Sequence, residues 1–439
     1  MSGADMTALR HSINGAKAPS YAERQGDIMT QTAVAKEVEV PNPILTTSTV
    51  RPADATPSFL RDVLALSDFE RKVRPRLPNM IYQYVAGAVE TSSAMRNGLD
   101  AYCRYGFTPH ALTDTSARST TTELFGQTYN APFAIGPLGG AAFVAYRADL
   151  ALTNAAKAAN IPMILSASSL IKLEDVIAAN PNAWFQAYLA GDEQRIDRML
   201  NRVEAAGYRN LVVTIDTPIL GNREHNIRSG FSMPIRMTPR VMIQSALHPR
   251  WLLGTVARTF MFHGAPHFEN TEAERGPPMM SRTLRNTVAR DKLAWKHIEQ
   301  IRRRWNGPMI VKGVISPRDA ALCREHGADG IILSNHGGRQ LDHAVGPLDI
   351  LPEVAAEKGN MKVIVDGGIR RGTDVLKAMA LGADFTLLGR PFLFAAALGG
   401  KTAVEHAIKI LREEISRDMA LLGVNSPSEI DSSFIKRIR

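Results

Sequence analysis

Gly330-Ile331-Ile332-Leu333 runs straight into Ser334-Asn335-His336-Gly337-Gly338-Arg339-Gln340-Leu341-Asp342. The first four residues are a short apolar run, which reads as a buried strand. The next nine are mostly polar and carry two glycines, which reads as a loop at that strand's C-terminal end. In a parallel α/β protein, chemistry sits at that end. His336 offers a base that works near neutral pH. Arg339, three residues on, offers a planar fork for a carboxylate. The pair points to an enzyme that takes a proton from a small carboxylic acid while holding its carboxylate.

The same apolar-run grammar extends in both directions. Candidate strands are Pro132–Gly136, Pro162–Leu165, Trp184–Ala187, Asn210–Ile215, Met309–Lys312, Gly330–Leu333, Lys362–Asp366 and Phe385–Leu388. Helical periodicity follows most of them, as in Ala148–Ala159, Glu193–Ala206, Pro317–His326 and Thr373–Leu381. Eight strand–helix units in one run predict an α/β fold, a (β/α)8 TIM barrel. An open doubly wound sheet also alternates, but no GxGxxG opens a first helix. Pro57 to Tyr84 also shows a helical pattern.

One connection is too long for an ordinary loop. It leaves the fourth strand near Asp216 and reaches the fifth near Met309. We expect an insertion over 228–290, of loop character. Within it, Arg228 to Phe268 holds five arginines and no acid, with apolar runs at Val241-Met242-Ile243 and Trp251-Leu252-Leu253. Such a segment can lie on an anionic membrane. A lid or an oligomer contact is the plainer alternative. Residues 1–58 show no sustained period, and we expect a flexible extension preceding a barrel over 59–430. That stretch lacks the apolar core of a secretory signal, and its acids argue against a transit peptide.

Composition narrows the class. Of 439 residues, 45% are hydrophobic and 22% charged, as in a soluble globular protein. Cys103 and Cys323 cannot build a disulfide framework and read as two buried small side chains in a reducing compartment. Neither has metal-ligand spacing, and no metal is expected. The net charge of +9 fits anionic ligands or a membrane surface. Without zinc-finger spacing or a Lys-rich tail, nucleic acid is not the expected partner.

Further polar groups stand at other strand ends. Val365-Asp366-Gly367-Gly368-Ile369-Arg370 and Leu388-Gly389-Arg390-Pro391 follow strands seven and eight. Loops after those strands bind phosphate in barrels, and Arg370 and Arg390 would add fixed charge. Lys312 ends strand five, as a Schiff-base nucleophile, a cation facing cofactor charge, or simply an exposed strand end. Asp216 ends strand four and can orient His336 as a triad acid does. Arg223 adds a second guanidinium, and Tyr188 and Tyr84 add hydroxyls. Each is weak alone; together they supply one rim.

Together these residues resemble the FMN-dependent L-2-hydroxy acid oxidising family, over roughly residues 65 to 430, with Ser334–Asp342 as its active-site signature. The resemblance implies a barrel with FMN at its C-terminal rim and a homotetrameric assembly. It implies His336 as catalytic base, supported by Asp216, with Arg339 and Arg223 clamping the substrate carboxylate. Tyr84 would bond the carboxylate, and Tyr188 would lie near the hydroxyl. Lys312 would face the flavin N1/O2 edge, and Ser166, Gln186 and Thr214 would contact the ring. Asp366, Gly368, Arg370, Gly389 and Arg390 would hold the ribityl chain and phosphate. Leu247-His248-Pro249-Arg250-Trp251 is similar to the membrane insert of mandelate dehydrogenase and bacterial lactate dehydrogenase. Pro137-Leu138-Gly139-Gly140 takes the place beside flavin N5, with Gly139 as in dehydrogenases and Leu138 departing from the usual Thr.

The implied activity is oxidation of a lactate- or mandelate-like L-2-hydroxy acid to the 2-oxo acid, with electrons passed to a quinone. The implied location is the cytoplasm, peripheral on the inner face of the cell membrane. An oxygen-using oxidase is the nearest alternative. A flavin barrel isomerase or a non-catalytic binding barrel would lack use for His336, Arg339 and Arg223 together.

Overall fold

All eight expected strands form. They are β1 (Phe133–Ile135), β2 (Ile164–Ser166), β3 (Trp184–Ala187) and β4 (Leu211–Thr214). The second half supplies β5 (Met309–Val314), β6 (Gly330–Leu333), β7 (Lys362–Asp366) and β8 (Phe385–Leu388). In this computed structural model, residues 56–281 and 289–439 are described. The expected extension over 1–58 falls almost wholly outside them.

The strands pair in parallel in the order β1-β8-β7-β6-β5-β4-β3-β2. A parallel bridge between Ile135 and Met163 joins the two ends, so the sheet closes into a barrel. The strands are apolar on both faces because both faces are covered. Ile164, Trp184, Val212, Ile310, Ile332 and Ile364 fill the interior. Leu165, Phe185, Val213, Val311, Leu333 and Val365 pack outward into the larger core. A hairpin of Thr122–Leu124 and Gln127–Tyr129 plugs the lower end, with Leu124 and Tyr129 in the interior cluster.

The predicted helices appear at Ala148–Ala159, Glu193–Ala205, Pro317–Glu325 and Gly372–Ala380, within a residue of expectation. Asp192 and Ser316 cap two of them, accepting from the Arg195 and Asp319 amides. The early helical pattern divides into Leu66–Val73 and Asn79–Ala86, because Pro75 and Pro78 interrupt it.

Three expectations need correction. The insertion is not all loop but carries helices: Glu224–Ser229, Pro239–Ala246, then Pro249 onward through one continuous widened turn to His263. Trp251 does not face outward. It is buried, and its indole N–H donates to the Phe143 carbonyl at 2.9 Å. Exposed apolar side chains there include Met237, Met242, Ile243, Leu247, Leu253, Phe260, Met261 and Phe262 instead. Cys103 is exposed, while Cys323 is buried as expected.

Candidate active site

Side chains two apart on a strand share a face. On six of the eight strands, β2 to β7, a polar residue stands two beyond the interior apolar one. Ser166 follows Ile164, Gln186 follows Trp184, and Thr214 follows Val212. Lys312 follows Ile310, Ser334 follows Ile332, and Asp366 follows Ile364. The barrel interior therefore changes from hydrocarbon to a polar tier at its C-terminal end. Ser166 Oγ donates to Gln186 Oε1 at 3.0 Å. Lys312 Nζ reaches Ser334 Oγ at 2.8 Å and Asp366 Oδ2 at 2.9 Å. Ser334 Oγ donates to the same Asp366 oxygen at 2.8 Å and accepts from the His336 amide at 3.0 Å. Burial alone would depress the Lys312 pKa, but Asp366 and Asp216 outweigh it and hold the pKa above its ordinary value. Lys312 is thus a fixed ammonium. That removes the exposed-lysine alternative and disfavours a Schiff-base amine.

Another step of two reaches Tyr188, Asp216, His336 and Gly368. The Asp216 carboxylate lies 3.0 and 3.1 Å from His336 Nδ1, so that nitrogen carries the proton and Nε2 keeps the basic lone pair. Burial lowers the His336 pKa and Asp216 opposes it; the net value is below the ordinary one, so the imidazole is neutral at pH 7. Burial pushes the Asp216 pKa up, but His336 and Lys312 reverse this and keep it ionised. Burial raises the Tyr188 pKa, and the Arg290 guanidinium covers its ring at 4.6 Å. Gly368 has φ +79°, and a Cβ there would meet Gly98 O at 2.1 Å, so only glycine fits.

Four arginines crowd the rim. Arg339 donates to Gly87 O at 2.8 Å and lies over the Tyr84 ring at 5.5 Å. Arg223 donates to Arg339 O at 3.3 Å and to Gln340 Oε1 at 3.2 Å. Arg390 donates to the Val85, Gly87 and Gly337 carbonyls at 3.1, 3.0 and 2.8 Å. Arg370 donates to Ile369 O at 2.9 Å. Burial and the neighbouring guanidiniums push Arg339 down to about 10 and Arg390 down to about 9. Tyr84 donates its hydroxyl to Gly139 O at 2.7 Å and stacks on Phe231 at 4.6 Å.

These groups surround one cavity of about 820 Å³. Six cationic side chains line it (Arg223, Arg290, Lys312, Arg339, Arg370 and Arg390) against one acid, Asp366, with Asp216 behind His336. Crowded cations of this kind favour anionic ligands. Of the expected site residues, Tyr84, Tyr188, Thr214 and His336 also line the cavity, as do Gly368 and Gly389. Ser166, Gln186 and Asp216 are not in its lining: Asp216 stands behind His336, and Ser166, which bonds Gln186, accepts from the amide of the lining residue Ser168 at 3.1 Å.

Four residues escaped the sequence reading as functional groups. Ser334 and Gln340 lie inside the quoted stretch, but their partners lie on other strands and loops. Gln340 Nε2 donates to Asp216 O at 3.0 Å and Ile219 O at 2.9 Å. Asp342 accepts from the Thr91 amide at 2.8 Å and the Ala94 amide at 2.9 Å, tying the signature loop to the early chain. Arg290 had no signal in its local sequence.

The FMN-dependent dehydrogenase family model matches residues 73–437. This chain belongs to that family. The dehydrogenase is 33% identical to (S)-mandelate dehydrogenase of Pseudomonas putida over 378 residues, 86% of this chain and 94% of that protein. It is 36% identical to L-lactate dehydrogenase of Xanthomonas campestris pv. campestris over 382 residues, 86% and 97% of the two. The crystal structure of the monotopic membrane protein (S)-mandelate dehydrogenase superposes with a TM-score of 0.80 at 33% identity, covering 86% of this chain and all of that one. The cofactor is therefore FMN, and the enzyme is an oxidoreductase acting on CH–OH. The residues present fit FMN. Gln186 Nε2 and Thr214 Oγ1 are buried without hydrogen-bond partners among the described residues, as suits the floor of a polar ring. The clustered arginines suit a phosphate.

Proposed function

We propose that this dehydrogenase oxidises a lactate- or mandelate-like L-2-hydroxy acid to the 2-oxo acid. One observation carries the reading: His336 held by Asp216 beside two guanidiniums in a cation-rich cavity. Arg339 and Arg223 would grip the carboxylate with charge-assisted bonds. Tyr84 would turn its hydroxyl from Gly139 O to the same carboxylate, and Tyr188 would sit by the substrate hydroxyl. His336 Nε2 takes the proton released on oxidation, and Asp216 stabilises the imidazolium that results. Bound FMN supplies the two-electron acceptor. Lys312 would neutralise negative charge at its N1/O2 edge, above Ser166, Gln186 and Thr214. Asp366, Gly368, Arg370, Gly389 and Arg390 would hold its ribityl chain and phosphate.

The electrons would pass to a quinone. The exposed apolar and arginine-rich insert would attach the enzyme to the anionic inner face of the cell membrane. The family resemblance supports a barrel over 59–430 in a homotetramer. The deciding experiment is anaerobic titration of the yellow protein with a panel of acids. Free 2-hydroxy acids should bleach the flavin and their methyl esters should not; equal bleaching by both would remove the carboxylate clamp.

A further inference from the structure

A second cavity, of about 530 Å³, lies beside the first. Phe143, Phe231 and Ser232 line both. The two phenyl rings meet edge to face, with centroids 6.5 Å apart. Much of the remaining wall is hydrocarbon, including Ile81, Leu170, Ile235, Val241, Trp251 and Val256. That volume is of the size small ligands occupy.

The cavities differ in charge. The first sets six cations against one acid. In the second, Arg147 pairs with Asp175 at 3.3 Å and Arg275 with Glu269 at 2.9 Å, leaving Lys172 over. Near balance on an apolar wall suits a neutral, apolar ligand rather than an anion. The entrance agrees. Met237, Phe260 and Met280 line this cavity and are 55%, 44% and 50% exposed. They lie beside the exposed apolar face of the insert, so an apolar molecule could enter from a lipid phase.

We propose that the second cavity receives the electron acceptor, a lipid-soluble quinone. Its ring would rest on the Phe143–Phe231 wall, and its tail would leave through the Met237–Phe260–Met280 mouth. The proposal rests on the reading of the first cavity as the site of hydroxy acid oxidation. The balance closes. Each hydroxy acid gives up two electrons and two protons in becoming an oxo acid. The quinone's two carbonyl oxygens accept two electrons and two protons in becoming a quinol. The acid and the quinone then use separate doors, so neither competes with the other for the arginines.

Val256 and Ile235 line the second cavity and not the first. Val256→Trp should fill it. Flavin content, anaerobic reduction by the hydroxy acid and reoxidation by ferricyanide should stay at wild-type values. Reoxidation by a decyl-substituted benzoquinone should slow about tenfold or more at subsaturating quinone. Ile235→Trp, on another part of the wall, should do the same and covers the case in which the first variant fails to fold. The same quinone should quench Trp251 fluorescence saturably in the holoenzyme, and Trp251→Phe should remove that component. Unchanged quinone reoxidation in a folded, flavin-loaded variant overturns the proposal, as does quenching unaffected by Trp251→Phe. Enzyme reduced with dithionite serves the quinone arm equally well. A wild type that no hydroxy acid bleaches would therefore overturn the first reading on its own, and the quinone result would still be read.

Discussion

His336 has φ +57°, and Gly337 and Gly338 follow at +63° and +71°. Three successive left-handed residues turn the chain sharply off β6, and for a histidine that conformation is held only by its surroundings. The Ser334 hydroxyl under its amide and the Asp216 carboxylate on its ring are those surroundings. His336→Gln should retain FMN and lose about 10²–10⁴-fold in the rate of flavin reduction, the usual cost of removing a general base. Stopped-flow reduction within a few-fold of wild type would exclude His336 as base. The pH dependence has a definite sign. A base must be unprotonated, so kcat/KM rises with pH through the His336 pKa. Burial holds that pKa below its ordinary 6.5, so the rise is complete by neutrality. Asp216→Asn removes the attraction that opposes burial, which moves the acid limb to lower pH while the rate falls. A limb that stays in place would separate Asp216 from the base. His336 and Arg339 were legible in the sequence because motif, strand end and glycines are contiguous. Ser334's role was not, because it depends on Lys312 and Asp366 from the strands on either side.

Between elements, Asp342 fastens the signature loop to residues 91–94. Burial would raise its pKa, but the Thr91 hydroxyl and the amides of Thr91, Ala94 and His343 override this and set it well below the ordinary value. Asp342→Ala leaves buried amides unpaired and should cost about 1–3 kcal/mol in urea unfolding. A depressed carboxylate adds stability that is present above its unfolded pKa and lost as pH falls through the folded one. The difference between wild type and variant should accordingly shrink on acidification below about pH 4. A difference constant down to pH 3 would locate the loss elsewhere. The eight strands were legible because doubly buried strands are unbroken apolar runs. The insert was read as a loop because its helices are apolar on more than one side. Val241 points into the core while Met242 and Ile243 are exposed, so no single stripe emerges. Trp251 was misplaced because its partner, the Phe143 carbonyl, lies over a hundred positions earlier.

Across the whole molecule, five arginines and the exposed side chains of the insert should give reversible attachment to anionic vesicles. Each basic residue near such a surface contributes about 1 kcal/mol, within a Debye length. Co-sedimentation should be strong at low salt, partly reversed at high salt and abolished by detergent. No sedimentation at low salt would return the insert to the role of lid or oligomer contact. The chain accommodates everything between Ile215 and Pro308 without disturbing the barrel's pairing of β4 with β5. Its strands allow no such latitude. Ile332, Ser334 and His336 are spaced like letters in a reading frame: every second position carries an interior apolar side chain, the hydroxyl that joins Lys312 to Asp366, and the proposed base. Deleting one residue from β6 would shift that frame and turn all three to the opposite face at once. A systematic insertion–deletion library should therefore divide the gene sharply, with tolerated length changes confined to the loops and near-total loss of function within the strands. New substrate preferences in this scaffold would arise by growing loops, while the strands are inherited whole.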